Sequence, residues 1–346
     1  MLRHVVVGCW LAACGVAAAQ PLPDVPKAPA VAPLSTLLTA PAAQQSPLPL
    51  LTAEPSAPFA DRPLPGSLLD EFSQQYEANK AFRTYTWRGA AITAFPNTLL
   101  WDPALAVKKD PRMMALVSSL KNYQSDFTLD TWIGGTQTVV RVAPEGEDTA
   151  IQLDVFGLVK TRLTPEDIIY ADYRFGFPIT FQRGPWQAKF AYEHTSAHIG
   201  DRLIARENPI IRSWVRDEIV LGLGRFLGER ENLRVYGHVA YAWLYVDPRV
   251  VDTTEARTRY DIGFEYFDRR CTGTAGTPFV AANFEWRGDQ NYTTNTNLQV
   301  GWLWRNPFRR EGMFRVFAEH YRGRSPYGQL SNVTENFTSF GIAFDY

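Results

Sequence analysis

Apolar and polar residues alternate along most of the chain from about Phe127 to the C-terminus. In 259–266 one set of alternate positions, the apolar parity, consists of Tyr260, Ile262, Phe264 and Tyr266. The other parity there consists of Arg259, Asp261, Gly263 and Glu265. The same period of two recurs in 233–243, 280–287 and 297–304. This period is typical of β-strands with one apolar and one polar face, so we predict an all-β protein in this region.

The chemistry of the two faces distinguishes a membrane barrel from a soluble sandwich. The polar parity repeatedly holds Arg, Asp, Glu, Asn and Gly, which favours a packed, charged lumen. The apolar parity is large and ends in aromatic residues, as the girdles of membrane barrels require. We count about eleven strands from Ser125 to Tyr346, and residues 82–94 add one more. The prediction is an antiparallel transmembrane β-barrel of about 12 strands, within a range of roughly 10–12.

The C-terminal segment NFTSFGIAFDY supports a barrel in the bacterial outer membrane. Its apolar residues alternate, and Tyr346 is an aromatic last residue. This pattern resembles the terminal strand that bacterial barrel-insertion machinery recognises, so that machinery is an expected partner during assembly. The expected location is the outer membrane of a Gram-negative bacterium.

The N-terminal third divides into three segments by composition. Residues 1–19 have a basic start, an apolar run and a small-residue end at Ala17–Ala19, which predicts a secretory signal peptide. An alternative is a lipoprotein signal with Cys14 as the lipidated residue. Residues 20–66 are rich in Pro and Ala and predict a disordered, flexible tether. Residues 67–124 are expected to be an irregular or helical lead-in with a first strand, leading to the barrel at 125–346.

Composition narrows the remaining function classes. The 346 residues carry a net charge of −1, which gives no reason to expect a nucleic-acid partner. Of the 3 cysteines, Cys9 and Cys14 lie in the signal segment, so a disulfide framework is excluded from the mature chain. Beyond the signal segment, the sequence contains no run of the roughly 18 apolar residues that a transmembrane helix needs.

The stretch YEHTSAHIGD carries the main candidate chemistry. Continuing the apolar parity of 186–192 places His194, Ser196 and His198 on the lipid-facing wall. Polar groups there cost free energy unless they are paired or lie at the interface. They form an interfacial polar end, a nucleophilic site in which His194 activates Ser196, or a metal site using His194 and His198, with Asp201 as a further ligand. The metal reading is weakened because His194 and His198 lie about 13 Å apart along a strand.

The His194-x-Ser196 pair and the following RSWVRDE resemble outer-membrane phospholipase A. That resemblance implies a twelve-stranded barrel whose outward His-Ser pair hydrolyses lipid esters, with Ca²⁺ as a cofactor at the oxyanion. The family's next strand carries an Asn that orients the histidine, and this chain has Val215 there. Asp217 shares the parity of Val215 and is expected to replace that Asn, with Ser213 as the other candidate.

A second resemblance covers nearly the whole exported domain. The run H-x-S-x-H-x-G-D, the segment from Asp172 to Pro178 (D-Y-R-x-G-x-P) and the segment from Glu319 to Gln329 (E-x-Y-x-G-x-S-P-x-G-Q) look like those of a family of bacterial envelope proteins of unknown function. The resemblance implies an envelope barrel and no established activity.

Two functions therefore remain open. The first is a serine-dependent hydrolase of phospholipid or lipid A esters, with Ser196, His194 and Asp217 as catalytic residues. The second is a non-enzymatic barrel, structural or weakly conducting. Expected partners are membrane lipids and lipopolysaccharide, the latter near His320, and a homodimer is compatible with either function. The inward parity contains acids and bases that predict a salt-bridged lumen: Glu193, Arg216, Glu218, Arg234, Glu265, Arg287 and Glu319.

Overall fold

The computed structural model describes residues 84–120, 127–144, 147–165, 167–201, 204, 213–269, 273–305 and 312–345. The signal and tether predicted for 1–66 lie outside these residues. The strands of the described part are β1 (Thr84–Trp87), β2 (Ala90–Ala94), β3 (Met113–Ser118), β4 (Thr128–Pro144), β5 (Thr149–Leu163), β6 (Ile168–Arg183), β7 (Trp186–Ile199), β8 (Trp214–Leu227), β9 (Leu233–Val246), β10 (Thr258–Phe267), β11 (Thr277–Arg287), β12 (Asn295–Arg305), β13 (Met313–Arg324) and β14 (Thr334–Asp345).

Twelve of these strands, β3 to β14, form a closed antiparallel barrel. Each strand from β4 to β13 pairs with the next along the chain, and β3 closes the ring by pairing with both β4 and β14. The prediction of an antiparallel barrel of about 12 strands is therefore confirmed. Eleven of its strands lie after Ser125, as the alternation predicts.

The first barrel strand comes from a different segment than expected. Residues 84–94 form a hairpin of β1 and β2, and β2 extends the edge of β4 at Val140–Pro144. The strand that completes the ring is β3, only 6 residues long. Its two methionines and Pro111 just before it carry weak strand signals, whereas 82–94 alternates more clearly. The clearer pattern belongs to the hairpin and not to the ring.

The charged residues of the strands point into the lumen, which confirms the prediction of a salt-bridged lumen. Arg162 is fully buried and bonds both Asp130, at 2.7 and 2.8 Å, and Glu335, at 2.7 Å. Further buried pairs join Arg216 to Glu218 at 2.6 Å, Arg174 to Glu193 at 2.8 Å and Arg234 to Glu265 at 3.0 Å. Charges at this depth are tolerated because each is paired within the low-dielectric interior.

The chain between β2 and β3 passes through the lumen. Leu105 and Arg112 are buried there, and the amide of Leu105 donates to Glu265 Oε2 at 2.8 Å. Arg234 donates to the carbonyl of Asp102, and Asn297 donates to that of Ala106, each at 2.8 Å. Residues 102–106, part of the lead-in expected over 67–124, therefore act as a plug in the lumen.

The barrel has two distinguishable ends. The turn end carries the connections 145–148, 184–185, 228–232, 268–276 and 306–312, and also the C-terminal residue of β14. The loop end carries 119–127, 164–167, 200–213, 247–257, 288–294 and 325–333. The described part of the chain has no helix long and apolar enough to cross a membrane. Strand β7 runs from the turn end to the loop end, so the YEHTSAHIGD stretch lies near the loop end.

Candidate active site

Strand β7 presents its polar triplet on the outer wall, as the alternation predicts. His194 and Ser196 are partly exposed and His198 is exposed. Their neighbours Glu193, Thr195 and Ala197 are buried on the lumen side. The outward position follows from the strand's period of two, because Trp186 and Phe190 fix the same parity outward.

His194 is held by a carboxylate on the next strand. The register of β7 with β8 places His194 directly opposite Asp217. Nδ1 of His194 lies 2.6 Å from Oδ1 of Asp217, and the hydroxyl of Tyr192 donates to Oδ2 at 3.2 Å. A carboxylate on Nδ1 fixes the imidazole tautomer and leaves Nε2 able to accept a proton. This is the arrangement that a histidine general base needs.

Aromatic side chains surround this His194–Asp217 pair. Phe175 of β6 stacks on the imidazole with ring centroids 4.8 Å apart, and Trp243 of β9 meets Tyr192 edge-on at 6.1 Å. Trp243 sits at a bulge, where the register with β8 shifts between Asp217 and Glu218. Although Asp217 faces outward, only 11% of its side chain is exposed. The aromatic cover therefore shields a charged group that a lipid-facing wall would otherwise leave exposed to hydrocarbon.

The sequence predicts Asp217 but not its surroundings. Strand parity places Tyr192 and His194 on one face, and the register of β7 with β8 then brings both to Asp217. The bulge is harder to predict, since its only signal is the consecutive apolar pair Trp243–Leu244, which breaks the alternation and leaves both side chains exposed. Ser213, the other orienting candidate, is an exposed residue just before β8.

Ser196 lies two residues beyond His194 on the same face, which separates the two Cα atoms by about 7 Å. Its cross-strand neighbours are Tyr173 and Val215. Among the described residues, none forms a hydrogen bond with Ser196 Oγ. The hydroxyl is therefore not bonded to His194 in this conformation. Catalytic hydrogen bonds are often long or absent before substrate binds and shorten in the complex.

The metal candidates do not come together. His198 packs its ring edge-on against Tyr173, with centroids 5.3 Å apart, and Asp201 is exposed at the start of the following loop. Over the ranges that the structure describes, no group of three His, Cys, Asp or Glu side chains could hold a metal ion. The carboxylate opposite His194, that of Asp217, is already bonded by His194 and Tyr192. The side chains described around Ser196 therefore do not fit a Ca²⁺ ion.

The three motifs of the second resemblance meet at the loop end of the lumen. The connection after β13 folds inward, and the amide of Gly328 donates to Asp172 Oδ2 at 3.2 Å. Gln329 donates to the carbonyl of Ala197 at 2.8 Å, directly behind Ser196 and His198. A Cβ on Gly328 would lie 2.6 Å from the ring of Trp214. These motif residues close the lumen and support β7 from the inside, so much of the resemblance reflects packing.

Together the closed ring, the apolar outer wall and the charged lumen define an outer-membrane-type β-barrel of twelve strands. The model of a family described as "Protein of unknown function (DUF1207)" matches residues 78–346. The chain belongs to this family, which confirms the expected kinship with bacterial proteins of unknown function. No curated protein sequence matches the chain.

Solved structures of outer-membrane barrels are similar to this chain. Outer membrane phospholipase A from Escherichia coli is 13% identical, with 71% of this chain and 95% of that chain covered and a TM-score of 0.43. The Salmonella typhi outer membrane phospholipase, solved as a dimer with bound calcium, is 13% identical over 68% of this chain and 90% of that chain, with a TM-score of 0.41. The Rhodopseudomonas blastica porin is 6% identical over 68% and 99%, with a TM-score of 0.30.

Proposed function

We propose that the chain is a lipid acyl-ester hydrolase of the Gram-negative outer membrane, with Ser196 as nucleophile, His194 as general base and Asp217 as the residue that orients it. The observation that carries the proposal is the bond of 2.6 Å between His194 Nδ1 and Asp217 Oδ1 on the outer wall. A surface that faces lipid meets its substrate laterally, from the bilayer. The loop end would then face the cell exterior, since barrels place their longer loops there.

The reaction proceeds in two halves. His194 Nε2 accepts the proton of Ser196 Oγ, which attacks the ester carbonyl carbon and forms a tetrahedral intermediate. As the carbonyl re-forms, the alcohol leaves and takes the proton from His194, and the acyl group remains on Ser196. A water then loses its proton to His194 and releases the fatty acid, restoring the hydroxyl of Ser196. Asp217 stabilises the imidazolium during both halves without itself accepting the proton.

Substrate access also agrees with the site. Ser196 is flanked outward by Tyr173 and Val215, which offer an apolar surface to an acyl chain. The substrate class is therefore a membrane lipid ester, with phospholipid and lipid A as the two candidates. A homodimer is compatible with this function.

A non-enzymatic barrel is the second candidate. Two observations favour it. The Ser196 hydroxyl is unbonded among the described residues, and Asp217 is bonded by Tyr192 and His194 without any contribution from Ser196. In that case His194 and Asp217 would be an interfacial polar pair that fixes the register of β7 with β8.

An activity assay separates the two candidates. The barrel is refolded in detergent and offered phospholipid and a chromogenic fatty-acyl ester, with and without Ca²⁺. The hydrolase predicts activity that Ser196→Ala and His194→Ala both abolish. The matched control is His320→Ala, because His320 is an exposed histidine whose Nδ1 lies 3.1 Å from the hydroxyl of Thr338 and which has no carboxylate partner among the residues that the structure describes. Activity insensitive to Ser196→Ala would favour the structural barrel.

A further inference from the structure

The barrel wall is interrupted along one side of β4. Strand β3 pairs with β4 at Thr128–Trp132, and β2 pairs with it at Val140–Pro144. Between these ranges, residues 133–138 form ladder pairs only with β5, because the chain that joins β2 to β3 turns into the lumen there. At about 3.4 Å per residue, the interruption is about 20 Å long.

A cavity of 680 Å³ occupies this interruption. That volume lies within the range of about 300–1,000 Å³ that is usual for small-molecule sites. Its outer part is apolar, with Ile133, Val155 and Phe344 among the lining residues. Its inner part carries the hydroxyl groups of Thr98, Thr136 and Thr138, whereas the amide side chains of Asn97 and Gln137 are exposed. No charged side chain of the described ranges lines it.

Two glycines make the outer part of the cavity a groove. Gly135 of β4 and Gly157 of β5 are cross-strand partners. The preceding outward residue of β4, Ile133, is 65% exposed, which is the ordinary pattern for this wall. A Cβ added to Gly157 would meet nothing within 4 Å. Gly157 is therefore not required by close packing, and the effect of the two glycines is to leave a shallow channel on the membrane side of the opening.

We propose that this opening binds a glycerolipid of the surrounding bilayer. An acyl chain lies in the Gly135–Gly157 groove, and its neutral ester linkage reaches the threonine hydroxyl groups of the inner part. A gap in a membrane-facing wall exposes strand backbone that must find hydrogen-bond partners, and an ester supplies acceptors without introducing charge. The absence of charged residues from the described lining keeps the phosphate group outside.

This lipid site is separate from the candidate active site. It lies on β4 and β5, whereas Ser196 and Asp217 lie on β7 and β8. The chain between β2 and β3, which enters the lumen, passes directly behind this lipid site, because Pro96 to Leu99 are among the residues that line the cavity. The proposal therefore does not depend on hydrolase activity.

Photocrosslinking tests the proposal on the full chain. The barrel is folded into phosphatidylethanolamine vesicles that contain a trace of phosphatidylcholine with a diazirine in one acyl chain, and adducts are mapped by mass spectrometry. We expect adducts on Thr98 and on Thr136 or Thr138, which a lipid confined to the outer surface would not reach. Gly157→Trp, which fills the groove, should reduce these adducts at least tenfold. The matched control is Ala188→Trp on β7, another partly exposed outer-wall position that does not line the cavity.

The outcomes are distinguishable. The folded fraction of each variant is measured by heat-dependent gel mobility, and only the folded band is digested, so that a misfolded variant does not count. Adducts confined to outward residues such as Phe190 would overturn the proposal. So would inner adducts that persist unchanged in Gly157→Trp. Crosslinks from the groove to residues 20–83 would also overturn it, because they would show that the chain's own N-terminal segment fills the opening.

Discussion

Replacing Asp217 by Asn tests the orienting role that the geometry suggests. The change keeps the size of the side chain and removes the charge that meets His194 Nδ1 at 2.6 Å. A hydrogen bond to a charged group contributes about 1.5–3 kcal/mol. At about 1.4 kcal/mol per tenfold change in rate, its loss lowers kcat about 10- to 150-fold. An amide that donates to Nδ1 would also favour the unsuitable tautomer, which in a serine-protease triad raises the loss to about 10⁴-fold.

The assay is hydrolysis of a phospholipid in mixed micelles, measured as kcat and KM for wild type, Asp217→Asn and Ser196→Ala. We expect kcat to fall and KM to change little, because Asp217 is covered by aromatic residues and does not touch the lipid. His320→Ala should leave both constants unchanged. If Asp217→Asn retains half or more of the activity that Ser196→Ala abolishes, Asp217 does not orient the base, and the reasoning from the 2.6 Å contact is refuted.

Three further predictions concern stability, each measured by urea unfolding of the barrel in vesicles. Gly328→Leu should destabilise it by about 1–3 kcal/mol, because a Cβ there would lie 2.6 Å from the ring of Trp214, whereas Gly157→Leu meets open space and should cost little. Arg162→Met should cost about 3–5 kcal/mol, because it leaves buried carboxylates unpaired. Burial raises the pKa of Asp289, in the 288–294 loop, but two neighbouring arginines outweigh this and hold the pKa below its ordinary value. Its stabilising contribution should therefore be complete above the unfolded-state pKa and fall as the pH drops through the lower folded-state pKa, a dependence that Asp289→Asn should remove.

Strand periodicity was sufficient to predict the barrel and the outward triplet. Eleven of the twelve ring strands alternate clearly, because each has one face in the lumen and one against lipid. The same periodicity places His194 and Asp217 on the outer wall. That they meet also depends on the register of β7 with β8, which a loop of 14 residues does not fix.

The features that sequence did not predict all depend on tertiary contacts. Strand β3 is short because the chain on either side of it is used for the lumen segment and a loop, and its pattern gives no reason to choose it over 82–94. The bulge at Trp243 depends on packing over Asp217 and Tyr192. The opening beside Gly135 exists because two different segments pair with one long strand. None of these has a local signal strong enough to compete with simple alternation.

The most direct test of the central claim is covalent labelling of Ser196. The folded barrel is treated with a hexadecyl sulfonyl fluoride, and the peptide containing Ser196 is examined by mass spectrometry. The account predicts sulfonylation of Ser196 in wild type, loss of that label in His194→Ala, and a label of wild-type intensity in His320→Ala. An unlabelled Ser196 under conditions that modify a known barrel phospholipase, or equal labelling in His194→Ala, would contradict an activated serine on this wall.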